Sequence, residues 1–405
     1  MKIKDIYARE ILDSRGNPTV ETEMLLENGI KVSASVPSGA STGDNEALEL
    51  RDGDKERYNG KGVLKAVDNV NTVIKEAIIG KELNQSEIDK FLIDLDGTKT
   101  KSNLGANAIL SVSVCVMKAI AKLENKEIYE SLGTEYSLPI PMMNIINGGV
   151  HATSGLEIQE FMIVPQQSTF KERLRCGAEV FHCLKKLLAK DGFSTSVGDE
   201  GGFAPNLKTI EDALYYIMLA IKESNYIPGE DVFIALDCAA TEFYDGENYT
   251  INKQKITKEE LITYYEELIQ KYPIMSIEDA FSEHDTESMK KLTARVGDKI
   301  MLVGDDYFVT NIEYLNDGIS DKYNNAILLK PNQIGTITEM LETIKLANDN
   351  NFKTVISHRS GETEDSYIAD MAVGLNLGYI KTGSLSRGER ICKYNQLLRI
   401  EEKLK

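Results

Sequence analysis

Apolar residues in the later part of the chain fall into short unbroken runs, and the runs recur. Six occupy residues 232–237, 274–278, 300–305, 326–330, 352–358 and 379–381, and each closes on a charged or reactive residue: Asp237, Glu278, Asp305, Lys330, His358 and Lys381. Between them lie polar segments with helical periodicity. Several open on a Thr with Glu three residues on, the pattern of a capping box: Thr257 with Glu260, Thr310 with Glu313, Thr336 with Glu339. A strand that is apolar throughout is buried on both faces, so the alternation predicts a parallel sheet flanked by helices. Two more runs, 140–146 and 158–164, precede the six, and helical patterns over 170–190 and 210–224 follow them. Eight strands close a barrel filled by its own side chains, with the strand ends converging on one rim. The loop joining the first two is too short for a helical crossover, which predicts an antiparallel pair.

The beginning of the chain has a different period. Alternating positions over 19–26 and 31–36 flank Asn28-Gly29, a dipeptide suited to a hairpin whose two central residues have positive φ. With residues 3–11 this predicts a three-stranded antiparallel sheet, followed by helices over 63–79, 86–95 and 106–123. The proline-containing stretch 133–141 is the expected boundary. The reading is therefore an α/β protein: an N-terminal α+β domain over 1–134 and a C-terminal eight-stranded TIM-like barrel over 135–405.

Composition narrows the function classes. A hydrophobic share of 42 % and a charged share of 27 % are those of an ordinary globular chain, and the net charge of −18 disfavours direct nucleic-acid binding. Five cysteines, Cys115, Cys176, Cys183, Cys238 and Cys392, form no CxxC pair. They read as reduced thiols of a cytoplasmic protein, with no zinc site. No apolar stretch follows Met1 as a secretion signal would require. Residues 106–123 carry Asn107, Ser111, Ser113 and Lys118 and read as a buried helix, so no membrane span is expected.

Three carboxylates, Asp237, Glu278 and Asp305, end three successive strands and would meet at the rim of a barrel. Taken singly, each is as well explained as the cap of the helix that follows. Together they would repel unless a cation joined them, and an oxygen-only set suits Mg²⁺ better than Zn²⁺. Lys330 and Lys381 share the rim, where neighbouring positive charge would lower a lysine pKa enough to make it a base. His358, Arg359 and Ser360 lead into Gly361 and an expected helix start, an arrangement able to grip a phosphate. Three glycine-rich loops, 37–43, 147–151 and 197–205, bring Ser41, His151 and Glu200, and none is a Walker loop.

At these loops the sequence resembles the enolase family. The strings that carry the resemblance run almost end to end: DSRGNPTVE from Asp13, PSGASTG from Pro37, EALELRDGD from Glu46, LGANAIL from Leu104, PMMNIINGG from Pro141, IQEFMIVP from Ile158 and VGDEGGFAPN from Val197. LDCAATEF from Leu236, SIEDAF from Ser276, SHRSGETED from Ser357, IKTGS from Ile380 and NQLLRIEE from Asn395 complete them. The resemblance implies that Asp237, Glu278 and Asp305 bind one Mg²⁺ and that Ser41 closes over a second, two per active site. It implies Lys330 as general base, Glu200 as general acid with Glu160 supporting it, and Lys381 on the substrate carboxylate. Arg359 and Ser360 would contact the phosphate, His151 and His358 would line the pocket, and Gln159 is a further substrate-side residue. Ala280 and Pro331 depart from the usual family residues.

The implied activity is the reversible dehydration of 2-phosphoglycerate to phosphoenolpyruvate in glycolysis. The implied assembly is a homodimer or a larger homo-oligomer in the cytoplasm. A different class of function also accompanies this resemblance: a non-catalytic protein of the same fold that serves as an RNA-processing scaffold. A cell-surface or secreted pool that binds plasminogen belongs with it, with the C-terminal Lys403-Leu404-Lys405 as the lysine ligand. Retention of the whole residue set favours the enzyme.

Overall fold

The computed structural model describes residues 1–40, 43–151 and 155–404, the side chain of His151 excepted. Strands β1 (Ile3–Leu12), β2 (Pro18–Leu26) and β3 (Lys31–Ser35) form an antiparallel sheet in that order. Alternation along β2 buries Val20, Thr22, Met24 and Leu26. That face packs on the helix Ala106–Leu123, where the Thr22 and Ser111 hydroxyls meet at 2.6 Å. The helix is long and apolar enough to cross a membrane, yet 78 % of it is buried in the protein. Only Gly29 of the Asn28-Gly29 pair has positive φ, at 89°. Leu26 O accepts the Gly29 N–H and Leu26 N–H reaches Ile30 O, so the loop is a three-residue turn with a left-handed glycine, not the two-residue turn expected.

The expected helix over 63–79 appears as one helical run from Leu64 to Ile78, with a π turn over Val70–Ile74. Asn71 lies in that turn. Its side chain pairs with both backbone groups of Ala8 at 2.7 and 2.9 Å, satisfying an edge position of β1 that no strand covers.

The remaining strands are β4 (Ile140–Asn147), β5 (Glu160–Pro165), β6 (Val232–Asp237), β7 (Tyr249–Ile251), β8 (Gln254–Ile256), β9 (Ile274–Glu278), β10 (Met301–Gly304), β11 (Ala326–Leu329), β12 (Lys353–Ser357) and β13 (Tyr379–Lys381). Eight of them close a barrel in the order β4-β5-β6-β9-β10-β11-β12-β13, and β13 pairs with β4. The pair β4 and β5 is antiparallel as expected, and β5 is also antiparallel to β6. All other neighbours are parallel. Met142, Met162, Val164, Ala235, Met301, Val303, Ala326, Leu328 and Val355 form a separate buried cluster that fills the barrel, while a larger core lies between strands and helices. β7 and β8 form a small hairpin outside the barrel, which apolar patterning did not reveal because its strands are three residues each.

Local capping follows the sequence at some helices and departs at one. Thr257 makes the full capping box with Glu260, and Thr336 accepts the Glu339 N–H at 3.2 Å. Thr310 does not cap. Asn311 accepts the Glu313 N–H and caps the helix Ile312–Asp321 instead. Thr310 sits at φ 58° with its hydroxyl turned toward Lys330 and Gln333.

Candidate active site

Register places the reactive groups before any side chain is considered. Asn147 of β4 is opposite Glu160, Glu160 is opposite Asp237, Asp237 is opposite Glu278, and Ser357 is opposite Lys381. Because β5 runs against its neighbours, its first residue stands on the rim where they end. β11, which leads into Lys330, is four strands around the closed ring from β5 and so lies directly across it.

Lys381 is the hub of one half of the rim. Its ammonium is 2.7 Å from Asp237 Oδ2, 2.9 Å from both Glu278 oxygens and 3.2 Å from Glu160 Oε1. Burial works against this charge, but Asp237, Glu160 and Glu278 more than compensate and hold the lysine well above its usual pKa. The carboxylates outnumber the ammonium. Burial and then the charge of Glu200 push the Glu160 carboxyl well up, and burial and then Asp237 do the same to Glu278.

Asp305 turns to the other half. It accepts the Lys330 ammonium and, at 2.8 Å, the Gln333 amide. Burial disfavours its charge, yet Lys330 keeps its pKa below the usual value. Asp279, directly after Glu278, accepts the backbone N–H groups of Asp305 and Asp306 at 2.9 and 3.0 Å. The backbone N–H of Lys330 donates to Thr310 Oγ1 at 2.8 Å, and that hydroxyl donates to Gln333 Oε1 at 2.8 Å. Val309 and Thr310, both β-branched, have φ of 40° and 58°, a strained backbone that brings the hydroxyl to the segment carrying Lys330.

Arg359, Ser360 and Gly361 are stitched to the N-terminal segment. Arg359 holds Glu46 through two bonds of 2.8 and 3.1 Å. Ser360 Oγ accepts the Ala40 N–H at 2.7 Å, and Ser38 and Gly361 exchange both backbone bonds at 2.8 Å. The expected helix start is not there, because the helix begins only at Tyr367. The Gly361 N–H goes to Ser38 instead. His358 Nε2 faces Glu200 Oε1 at 3.5 Å, and Asn144 donates to Glu200 Oε2 at 3.1 Å. Gly201 lets the loop of Glu200 nest against the barrel: at φ 87°, a Cβ there would stand 2.6 Å from Ser386 O.

One narrow cavity has Gln159, Glu160, Glu200, Asp237, Lys330, His358, Arg359, Ser360 and Lys381 in its wall, while Glu278 and Asp305 lie behind Lys381 and Lys330 and do not line it. Residues 3–132 match the family described as "Enolase, N-terminal domain", and residues 135–405 match "Enolase, C-terminal TIM barrel domain". The chain belongs to the enolase family. Its enolase barrel is the mixed eight-stranded ring described above, and both matched regions contribute to the cavity's surroundings.

Of the residues that the enolase resemblance singled out, Ser41 lies outside the described residues, as does the side chain of His151. The expectation of a depressed Lys330 pKa is corrected. Burial is the largest influence and lowers it, and Arg359 and Lys381 do too, but the surrounding carboxylates, Asp305 first and Glu278 with it, leave the amine raised. Asp237 and Glu278 go to Lys381 while Asp305 goes to Lys330, though Asp305 still acts on Glu278 through space.

This donor set fits a hard divalent cation. It is all oxygen, it is buried, and it carries more negative charge than its lysines neutralise. Asp279, Asp305 and Asp306 also bring one oxygen each within 4.8 Å of one another. Sequence reading passed over Asn144, Asp279, Thr310, Gln333 and Arg390 as site residues. Asp279 was legible from its place beside Glu278, whereas the others are distinguished only by their partners.

Proposed function

We propose that this protein reversibly dehydrates 2-phosphoglycerate to phosphoenolpyruvate, with two Mg²⁺ ions per site. The observation that supports this reading is one cavity with Lys330, Glu160 and Glu200 in its wall, Glu160 standing across the ring from the strand that leads into Lys330. A base and an acid facing each other across a bound three-carbon acid remove a proton and a hydroxyl from opposite faces of it.

Arg359 and Ser360 hold the phosphate and Lys381 the carboxylate, with Gln159 beside it. Lys330 takes the proton from C2. That proton is held tightly because the adjacent carboxylate is already negative, so its removal demands positive charge at the carboxylate oxygens. Asp237, Glu278 and Asp305 would hold one Mg²⁺, with Ser41 toward a second, and the metal would supply that positive charge. Burial and then the charge of Glu200 push the Glu160 carboxyl well above its usual range, which favours a proton shared between the two. That proton goes to the hydroxyl leaving C3.

Ultraviolet absorbance of the enol product, read with 2-phosphoglycerate and Mg²⁺, tests the reading. Turnover that stops with excess chelator and returns with Mg²⁺ supports it, together with a Mg²⁺-dependent rise in melting temperature. A folded protein inert toward 2-phosphoglycerate in excess Mg²⁺, or active in excess chelator, overturns it. We also propose a cytoplasmic homodimer or larger homo-oligomer, whose mass light scattering measures.

A further inference from the structure

Arg390 lies in the first turn of the helix Gly388–Leu404 and is the largest fully buried side chain among the described residues. A buried guanidinium is costly unless every direction of its fork meets an acceptor. Here Nη1 lies 2.6 Å from His358 Nδ1 and 2.6 Å from Arg359 O, while Nη2 lies 2.6 Å from Ser360 O and 3.1 Å from Asp199 O. Nη2 is also 3.4 Å from Ser14 Oγ, and Nε is 3.3 Å from Glu389 Oε1. One side chain thus ties the tripeptide His358-Arg359-Ser360 to the loop that carries Glu200.

Guanidinium has hydrogens to give and no lone pair to receive one. A ring nitrogen 2.6 Å from it must therefore be the acceptor, so His358 Nδ1 carries the lone pair. In a neutral imidazole the hydrogen is then on Nε2, the nitrogen that faces Glu200 Oε1 at 3.5 Å. An imidazolium would set N–H against N–H beside a second cation. The buried ring accords with this, its pKa lowered to about 4 by burial, with Arg390 lowering it further against the pull of Glu200. The backbone leaves room for the arrangement at Gly383. Gly383 has φ 78°, and a Cβ there would stand 2.7 Å from Arg390 Cδ and 3.0 Å from His358 Cε1.

We infer that Arg390 is a positioning residue for the acid half of the site: it fixes His358 as the Nε2–H tautomer and thereby orients the Glu200 carboxyl. The inference deepens the dehydration reading and rests on it for its kinetic consequence, though not for the tautomer. Arg390 touches neither Lys330 nor the carboxylates at the strand ends, so at saturating substrate its effect falls on loss of hydroxide more than on abstraction of the C2 proton, while its bonds to the Arg359 and Ser360 carbonyls act on phosphate binding and so on KM.

Two measurements test this. In wild-type protein with ¹⁵N-labelled histidine, long-range ¹⁵N–¹H correlation reads the tautomer of each ring, and the signal absent from His358→Asn identifies His358. A neutral Nε2–H ring at pH 7 is expected; an Nδ1–H ring or an imidazolium overturns the inference even if every Arg390 variant fails to fold. In Arg390→Lys at saturating substrate, product formation is expected to fall about 10- to 100-fold, as for loss of other outer partners, while exchange of the C2 proton with deuterated solvent falls much less. Equal loss of both reactions, or loss of neither, overturns it. Should the wild type neither exchange nor dehydrate, the dehydration reading fails, and the histidine spectrum still decides whether Arg390 sets the ring.

Discussion

The Lys381 ammonium lies 2.9 Å from each carboxylate oxygen of Glu278. With its 2.7 Å bond to Asp237, this one cation joins the ends of three barrel strands that no covalent link connects. Replacing it by an apolar side chain of similar length leaves buried carboxylates facing one another. Lys381→Met is expected to lower stability by about 3–5 kcal/mol, read by urea unfolding in the presence of chelator. A loss below about 1 kcal/mol would show that the carboxylates are balanced by other means.

Lys330 and Glu200 are assigned to separate steps, and solvent isotope exchange separates them. Glu200→Gln is expected to exchange the C2 proton of 2-phosphoglycerate with deuterated solvent while forming no phosphoenolpyruvate. Lys330→Ala is expected to do neither. Proton NMR of the recovered substrate gives the exchange rate, and brisk exchange in the lysine variant would remove Lys330 as the base.

Thr310 supplies one hydroxyl to two partners, the Lys330 N–H and the Gln333 side chain. Thr310→Ser keeps both bonds and is expected to retain activity. Thr310→Val leaves a buried N–H and amide oxygen unmet, a cost of about 1–3 kcal/mol. It also frees the segment that aims the base, so kcat is expected to drop by about tenfold or more with little change in KM. Matched kinetics of the two variants would show the hydroxyl to be dispensable.

Asp370 is buried, and its two carboxylate oxygens accept from Gln396 at 3.2 Å. Burial pushes its pKa up to about 6 from 3.8. The folded state therefore holds a proton that the unfolded chain releases more readily, and this group's contribution to stability is present below about pH 4 and lost as pH rises through about 6. Asp370→Asn is expected to exceed wild type by on the order of 2 kcal/mol at pH 7 and to equal it near pH 4. Thermal unfolding across that range checks the difference, and a constant difference would place the shift elsewhere.

Strand and helix placement was legible where burial is a property of consecutive residues. The runs at Val232–Asp237 and Ile274–Glu278 and the helices Ala106–Leu123 and Phe170–Lys190 occur where hydrophobic patterning put them. The capping box of Thr257 was legible because its partner is three residues away. Thr310 with Glu313 has the same spacing and was misread, because the hydroxyl found a better use with Lys330, a residue brought near only by the closing of the barrel.

The sequence by itself determined the alternation of strands and helices, the count that closes the ring and the chemical types at each strand end, because periodicity and side-chain identity are local. Which carboxylate meets which ammonium was decided by tertiary structure. So was the pairing of β5 with β6 that sets Glu160 opposite Asp237, and so was the burial of Arg390 against His358. A charge on a helix looks solvated until the fold surrounds it, and ion pairing in a buried site depends on distances that no spacing along the chain contains.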